Sequence, residues 1–212
     1  NILRGYRANF ARHFALAIGE PEPARQFVDG LISGDESRSP QITTAAHWQE
    51  QPDYFLNLGF TWNGLKALGL PDDTLNLFPE AFRQGPADSK KADQLGDTDS
   101  SAPSSWALGN PATPAHMLVS LFIKDNGTTQ LDAQSEKLRR LFADHGLKEL
   151  SCHDGVALPG GQEHFGYKDG IAQRSECNIV PAKKPGQKGK GGESPLSLQN
   201  GWGGRMGRDL TI

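Results

Sequence analysis

Asp169 stands between Gly166 and Gly170 in the run Glu163-His164-Phe165-Gly166-Tyr167-Lys168-Asp169-Gly170-Ile171-Ala172-Gln173. The two glycines permit turns that a residue with a Cβ would resist, and they let a ligand lie close to the main chain. A carboxylate in that setting is a candidate for work on a bound ligand. A lone Asp-Gly is ordinarily only a turn, and Asp29-Gly30 and Asp154-Gly155 read that way. By spacing alone Asp169 is therefore a candidate carboxylate and nothing more.

The other residues able to do chemistry are scattered. His13 and His116 fall in predicted strands, where a hydrogen-bonded structural imidazole is the default. His145 falls in the last turn of a predicted helix, where a cation meets the negative end of the dipole. His47 follows Ala45-Ala46 in a loop, and His153 neighbours Cys152 with no partner at metal-ligand spacing. No HxxxH, HExxH or CxxC pair occurs, so these residues predict no protein-only metal site. The serines form no Gly-x-Ser-x-Gly elbow, and neither a Walker A loop nor a dinucleotide fingerprint is present. Gly160-Gly161 lacks the further glycines and the strand-helix context of a phosphate cradle. Trp62, Trp106 and Trp202 read as packing residues, with an electron relay through a surface Trp or Tyr as the alternative.

Composition narrows the function classes. A chain of 212 residues with net charge −3 and pI near 6.1 has no general electrostatic reason to bind nucleic acid or an anionic membrane. The one basic cluster, Lys183-Lys184 with Lys188 and Lys190, lies in a Gly/Pro-rich stretch and reads as a solvated loop. No apolar run approaches the ~20 residues of a membrane span. Cys152 and Cys177 are too few and too isolated for a disulfide scaffold or a zinc knuckle, which fits a reducing, cytoplasmic compartment. The chain opens on Asn1, which leaves open whether a leader precedes it.

The elements that must position these residues follow from periodicity. Arg12 to Ile18 alternates, with Phe14, Leu16 and Ile18 on one face and His13, Ala15 and Ala17 on the other, as in a half-buried strand. Glu20-Pro21-Glu22 then starts a helix whose apolar face is Ala24, Phe27, Val28, Leu31 and Ile32, and Ser33-Gly34 stops it. Tyr54–Phe60 is a second strand, leading into a short helix from Trp62 to Leu68. Residues 83–114 are polar and rich in Gly, Pro, Ser and Asp, a long connection that is either functional or mobile. His116 to Ile123 reads as a buried central strand. Leu131 to His145 is a helix capped by Gly146, and Leu147 to Val156 a weaker fourth strand. The order β-α-β-(insert)-β-α-β is the split βαβ pattern of a ferredoxin-like domain, an α+β architecture with two helices on one face of an antiparallel sheet. From about Ser175 the run Pro181 to Gly192 has almost nothing apolar to bury and reads as a Gly/Pro/Lys-rich linker. No solenoid-period repeat occurs.

Several segments, in order, resemble the N-terminal half of the dye-decolorizing peroxidase family, whose members are haem enzymes built from two ferredoxin-like domains. They are Asn1-Ile2-Leu3-Arg4-Gly5-Tyr6, the strand-to-helix run Asn57 to Leu70, Phe78 to Gly85, Leu95-Gly96-Asp97, and Ala102-Pro103-Ser104-Ser105-Trp106. The signature is Gly166-Tyr167-Lys168-Asp169-Gly170, the GxxDG element of that family. The resemblance covers about residues 1–173 and implies a peroxidase domain there, with 174–212 a linker or the start of a haem-binding domain.

The resemblance implies haem b as cofactor, with hydrogen peroxide and bulky aromatic or dye-like reductants as partners. It gives Asp169 the distal acid–base role: taking a proton from bound peroxide and delivering it to the leaving oxygen. It places Phe165, Gly166, Lys168, Gly170, Ile171 and Gln173 around the cofactor. Three positions depart from the family pattern. Lys168 stands where Arg is common and cannot make the same bidentate contact with a propionate. Ala172 replaces a frequent Ser, and Arg174 a frequent Pro. No His here matches the proximal position, so the iron ligand and a distal Arg are expected in a C-terminal half, supplied by a longer or a complementing chain. The chain alone is expected to be an inactive fragment, and a homo-oligomer is expected. Two other functions fit the same residues: a non-catalytic ferredoxin-like binding or assembly domain, and release of iron from haem, because fold alone does not fix function.

Overall fold

The computed structural model describes residues 6, 8–34, 40–44, 52–110, 112–124, 128–162 and 164–166. β1 (Phe10–Ile18) sends alternate side chains to two faces, and Phe14, Leu16 and Ile18 enter the core. α1 (Pro21–Ser33) begins with Pro21 in its first turn beside Glu22, both favoured where the backbone N–H groups lack partners. Its buried stripe is Ala24, Phe27 and Leu31. Ile32, expected on that stripe, is 61% exposed, whereas Leu31 beside it is fully buried.

β2 (Tyr54–Phe60) has the bounds its alternation predicts. Thr43 covers its outer edge: its N–H donates to the Leu56 carbonyl (2.8 Å) and its Oγ1 accepts from the Leu56 N–H (3.0 Å). α2 (Trp62–Ala67) is capped by Thr61, whose Oγ1 accepts from the Gly64 N–H at 3.0 Å. Gly64 is required by contact: a Cβ there would lie 1.8 Å from the His116 carbonyl oxygen.

Three short helices follow: α3 (Asp72–Leu75), α4 (Glu80–Gln84) and α5 (Ser89–Leu95). Residues 83–110 are thus not the featureless connection their polarity predicts. Local caps organise them in place of a core. The Asp88 carboxylate accepts from the Lys90 and Lys91 N–H groups at 3.1 and 3.2 Å, and the Lys91 Nζ donates to the Ala81 and Gly85 carbonyls. Two 3-10 turns, Asp99–Ser101 and Pro103–Ser105, complete the insert, and the Trp106 indole N–H closes on the Ser101 carbonyl at 2.9 Å.

β3 (Met117–Ile123), α6 (Thr129–Asp144) and β4 (Leu147–Val156) complete the order. The four strands form one antiparallel sheet in the order β2-β3-β1-β4, with β3 and β1 central. That is the ferredoxin-like βαββαβ arrangement of an α+β fold. Leu131, Leu138 and Phe142 of α6 join the α1 stripe over the face carrying Phe14, Leu16, Met117, Val119 and Leu121. Phe14 meets Phe142 edge-on at 5.4 Å between centroids, and Phe142 meets Phe27 at 5.7 Å.

β4 departs from a regular ladder. Leu16 pairs with Glu149 but Ala15 with Ser151, so Leu150 is an extra residue, a β-bulge. Glu149 and Cys152 consequently fall on the helix-covered face, where Arg139 of α6 donates to both Glu149 oxygens (3.0 and 3.2 Å) and lies 3.7 Å from the Cys152 sulfur.

Residues Tyr6–Ala157 form one compact unit, and Asn1–Gly5 with Leu158–Ile212 belong to a second. In the second, the described backbone runs through a 3-10 turn, Pro159–Gly161, to Gly166. The expected domain boundary at 173/174 and the expected linker 174–212 lie outside the described residues.

Candidate functional site

The predicted distal segment is described as far as Gly166. Phe165 is 90% exposed, and Gly166 has φ +86°, a conformation that residues with a Cβ rarely adopt. Lys168, Asp169, Gly170, Ile171 and Gln173 lie outside the described residues.

Three of the imidazoles in Tyr6–Ala157 have structural partners. The His116 Nδ1 accepts from the Ile18 N–H at 2.9 Å, which fixes the proton of the neutral ring on Nε2, and burial holds its pKa below the usual histidine value. The His145 Nδ1 lies 2.8 Å from the Leu141 carbonyl and so carries the proton in that bond. His13 Nδ1 lies 2.9 Å from the Ser120 hydroxyl, and its ring meets Phe122 edge-on. The strand positions of His13 and His116 predicted such structural roles.

The strongest charge cluster is also structural. Arg12 lies on the helix-covered face and forks onto Asp154, with Nε–Oδ1 at 2.6 Å and Nη2–Oδ2 at 2.7 Å. Its Nη1 donates to Asp132 (2.8 Å) and to the Ser135 hydroxyl (3.1 Å) of α6. The Arg12 hydrogen bond is the main cause holding the Asp154 carboxyl below the usual aspartate value. Burial, in turn, raises the Cys152 thiol above the ordinary range, so this cysteine is not poised as a nucleophile. Period-2 alternation from Phe14 already places Arg12 on the core face, and a charge there signals a partner.

A second polar group crosses the opposite face of the sheet. His153, His13, Ser120 and Asn57 are laterally aligned, one from each strand. At the β2 end the Asn57 amide donates to the Tyr6 hydroxyl at 2.7 Å, and Tyr6 stacks on Phe55 at 4.2 Å. Such a row has no signature in any one segment, because it exists only once the register of all four strands is set.

A haem group needs an axial ligand for its iron. Among the described residues no three His, Cys, Asp or Glu side chains cluster to hold a metal. Of the residues expected around such a group, only Phe165 and Gly166 fall among the described residues.

No protein-family model matches the chain. It is 30% identical over 194 residues to a dye-decolorizing peroxidase of Mycetinis scorodonius, covering 88% of this chain and 35% of that protein. A dye-decolorizing peroxidase of Auricularia auricula-judae is 27% identical over 190 residues, covering 88% and 34%. The chain thus spans about a third of the length of these curated relatives. Among solved structures, a dye-decolorizing peroxidase whose heme pocket was engineered for asymmetric sulfoxidation superposes with TM-score 0.65 at 27% identity, over 85% of this chain and 38% of the other. A dye-decolorizing peroxidase in complex with 2,6-dimethoxyphenol gives TM-score 0.64 at 26% identity, over 88% and 40%. Sequence and fold agree: the chain belongs to the dye-decolorizing peroxidase family and matches its N-terminal portion.

Proposed function

We propose that this chain forms the distal side of a haem-dependent peroxidase that reduces hydrogen peroxide and oxidises bulky aromatic donors, with Asp169 as the acid–base residue. The observation that carries the reading is the Gly166-Tyr167-Lys168-Asp169-Gly170 motif, preceded by a domain that superposes on dye-decolorizing peroxidases. The left-handed backbone at Gly166 supports it, since the motif's first glycine occupies a conformation suited to glycine. The 2,6-dimethoxyphenol complex of one relative supports an aromatic donor.

When bound, haem b supplies the iron centre at which peroxide is reduced. The Asp169 carboxylate accepts a proton from hydrogen peroxide and returns it to the oxygen that leaves as water, so its charge is restored at the end of the transfer. Lys168, Phe165, Gly170, Ile171 and Gln173 line the cofactor in this reading. In this reading the iron ligand comes from the part of the relatives' length that this chain does not match.

The test is peroxide-dependent dye bleaching by the haem-loaded protein, with the complementing half supplied. Asp169→Asn is expected to abolish bleaching while the Soret band is unchanged. Full activity in that variant at equal haem loading removes Asp169 from the role. A chain that folds and self-associates but never takes up haem supports the non-catalytic assembly reading.

A further inference from the structure

His13 and His153 are direct partners in the antiparallel β1–β4 ladder, so both point to the sheet face opposite the helices. Directly opposed residues have Cβ atoms roughly 5 Å apart, close enough for two imidazoles to share one ion. The two rings are not equivalent. His13 is half-buried, and its Nδ1 is held by the Ser120 hydroxyl on the β3 flank. The two nitrogen lone pairs of an imidazole diverge, so fixing Nδ1 toward β3 turns Nε2 away from β3 and toward the β4 side. There His153 is exposed, with no side-chain hydrogen bond among the described residues. Two positions before it on the same face, the Ser151 Oγ is buried without a partner.

A ligating histidine characteristically has its other ring nitrogen fixed by a hydrogen bond, which sets the tautomer and aims the ligating nitrogen. His13 has that support and His153 supplies the free imidazole. Neutral imidazoles favour late first-row divalent ions, with Cu2+ bound most tightly. We propose that His13 and His153 form a chelating pair for such an ion, His13 ligating through Nε2, with water in the remaining positions. The site belongs to Tyr6–Ala157 and is independent of the haem reading.

The test is calorimetric titration of the metal-free 212-residue chain with Cu2+ and, separately, Zn2+. Imidazole NMR then locates the Cu2+ by its paramagnetic broadening. The expected result is one ion per chain, with broadening at the His13 and His153 rings. His153→Gln, an exposed change, is expected to abolish one-to-one binding with the unfolding midpoint unchanged. Ser120→Ala is expected to weaken binding about tenfold through loss of the orienting bond. Unaltered affinity in His153→Gln, absence of one-to-one binding in the unaltered chain, or broadening centred on His145 or His164 would each overturn the proposal.

Discussion

The Ile18 N–H donates to the His116 ring at 2.9 Å, so an imidazole closes the end of β1 against the start of β3. The His116 backbone N–H donates to the Leu16 carbonyl, and the His116 carbonyl accepts from the Thr61 N–H. His116 therefore ties two central strands to the cap of α2. Only the ring unprotonated at Nδ1 can accept the Ile18 proton. Its folded-state pKa is lowered by burial, so below the ordinary histidine value of 6.5 the unfolded chain binds the proton more readily. The stabilisation is complete above that pH and is lost as pH falls through it toward the lowered folded value. Urea midpoints measured between pH 7.5 and pH 4.5, values chosen to bracket the ordinary pKa of about 6.5, should fall on acidification. His116→Asn, which offers an amide oxygen in place of Nδ1, should flatten that slope; an unchanged slope would remove His116 as its cause.

Gly64→Ala tests the approach of α2 to β3. The added Cβ would meet the His116 carbonyl oxygen at 1.8 Å, a clash with backbone that no rotamer relieves. A destabilisation of roughly 3 kcal/mol is expected, at the upper end for overpacked sites. Calorimetry or chemical denaturation reads it directly. Gly59→Ala is the matched control, because a Cβ there meets nothing within 4 Å.

The Arg12 fork predicts a second, more acidic loss. Asp154 titrates below its ordinary value of 3.8 in the folded chain, chiefly through its hydrogen bonds with Arg12. Its contribution is present above that value and disappears as pH falls through the lowered one. Both aspartates are more than half exposed, so screening keeps the effect small. Asp154→Asn should cost about 0.5–1 kcal/mol at low salt and less at high salt. Denaturation curves at two ionic strengths separate this effect from a packing change.

Leu138 is fully buried between α6 and the sheet. Leu138→Ala should cost about 2–5 kcal/mol, the range for a core leucine, because the sheet beneath cannot collapse to fill the space. Leu77→Ala, at an 84% exposed position, should change the midpoint little.

Much of the fold is legible in sequence because period and burial agree. Tyr54–Phe60 and Leu147–Val156 have the bounds their patterns predict, and Phe14, Leu16 and Ile18 enter the core as their alternation requires. Where polarity dominates, the reading fails. Asp88 and Lys91 build helical turns in the insert through caps and carbonyl contacts, which hydrophobic periodicity does not register. At the candidate site the limit is different. Asp169 is picked out by a motif of neighbours in sequence and lies outside the described residues. The alignment of His153, His13 and Ser120 depends on strand register across about 140 positions of chain, from 13 to 153, and no local pattern encodes it.

β4 has ten residues and β1 nine, and the slack is taken up at Leu150. That one residue resets the phase of the strand. Strict alternation from Leu147 would turn His153 beneath the helices and Asp154 away from Arg12, exchanging a surface imidazole for a buried one. Removing Leu150 should leave the rest of the ladder in step, whereas inserting one residue between Ser151 and His153 should invert everything after it. Along this edge of the sheet, the number of residues matters as much as which residues they are.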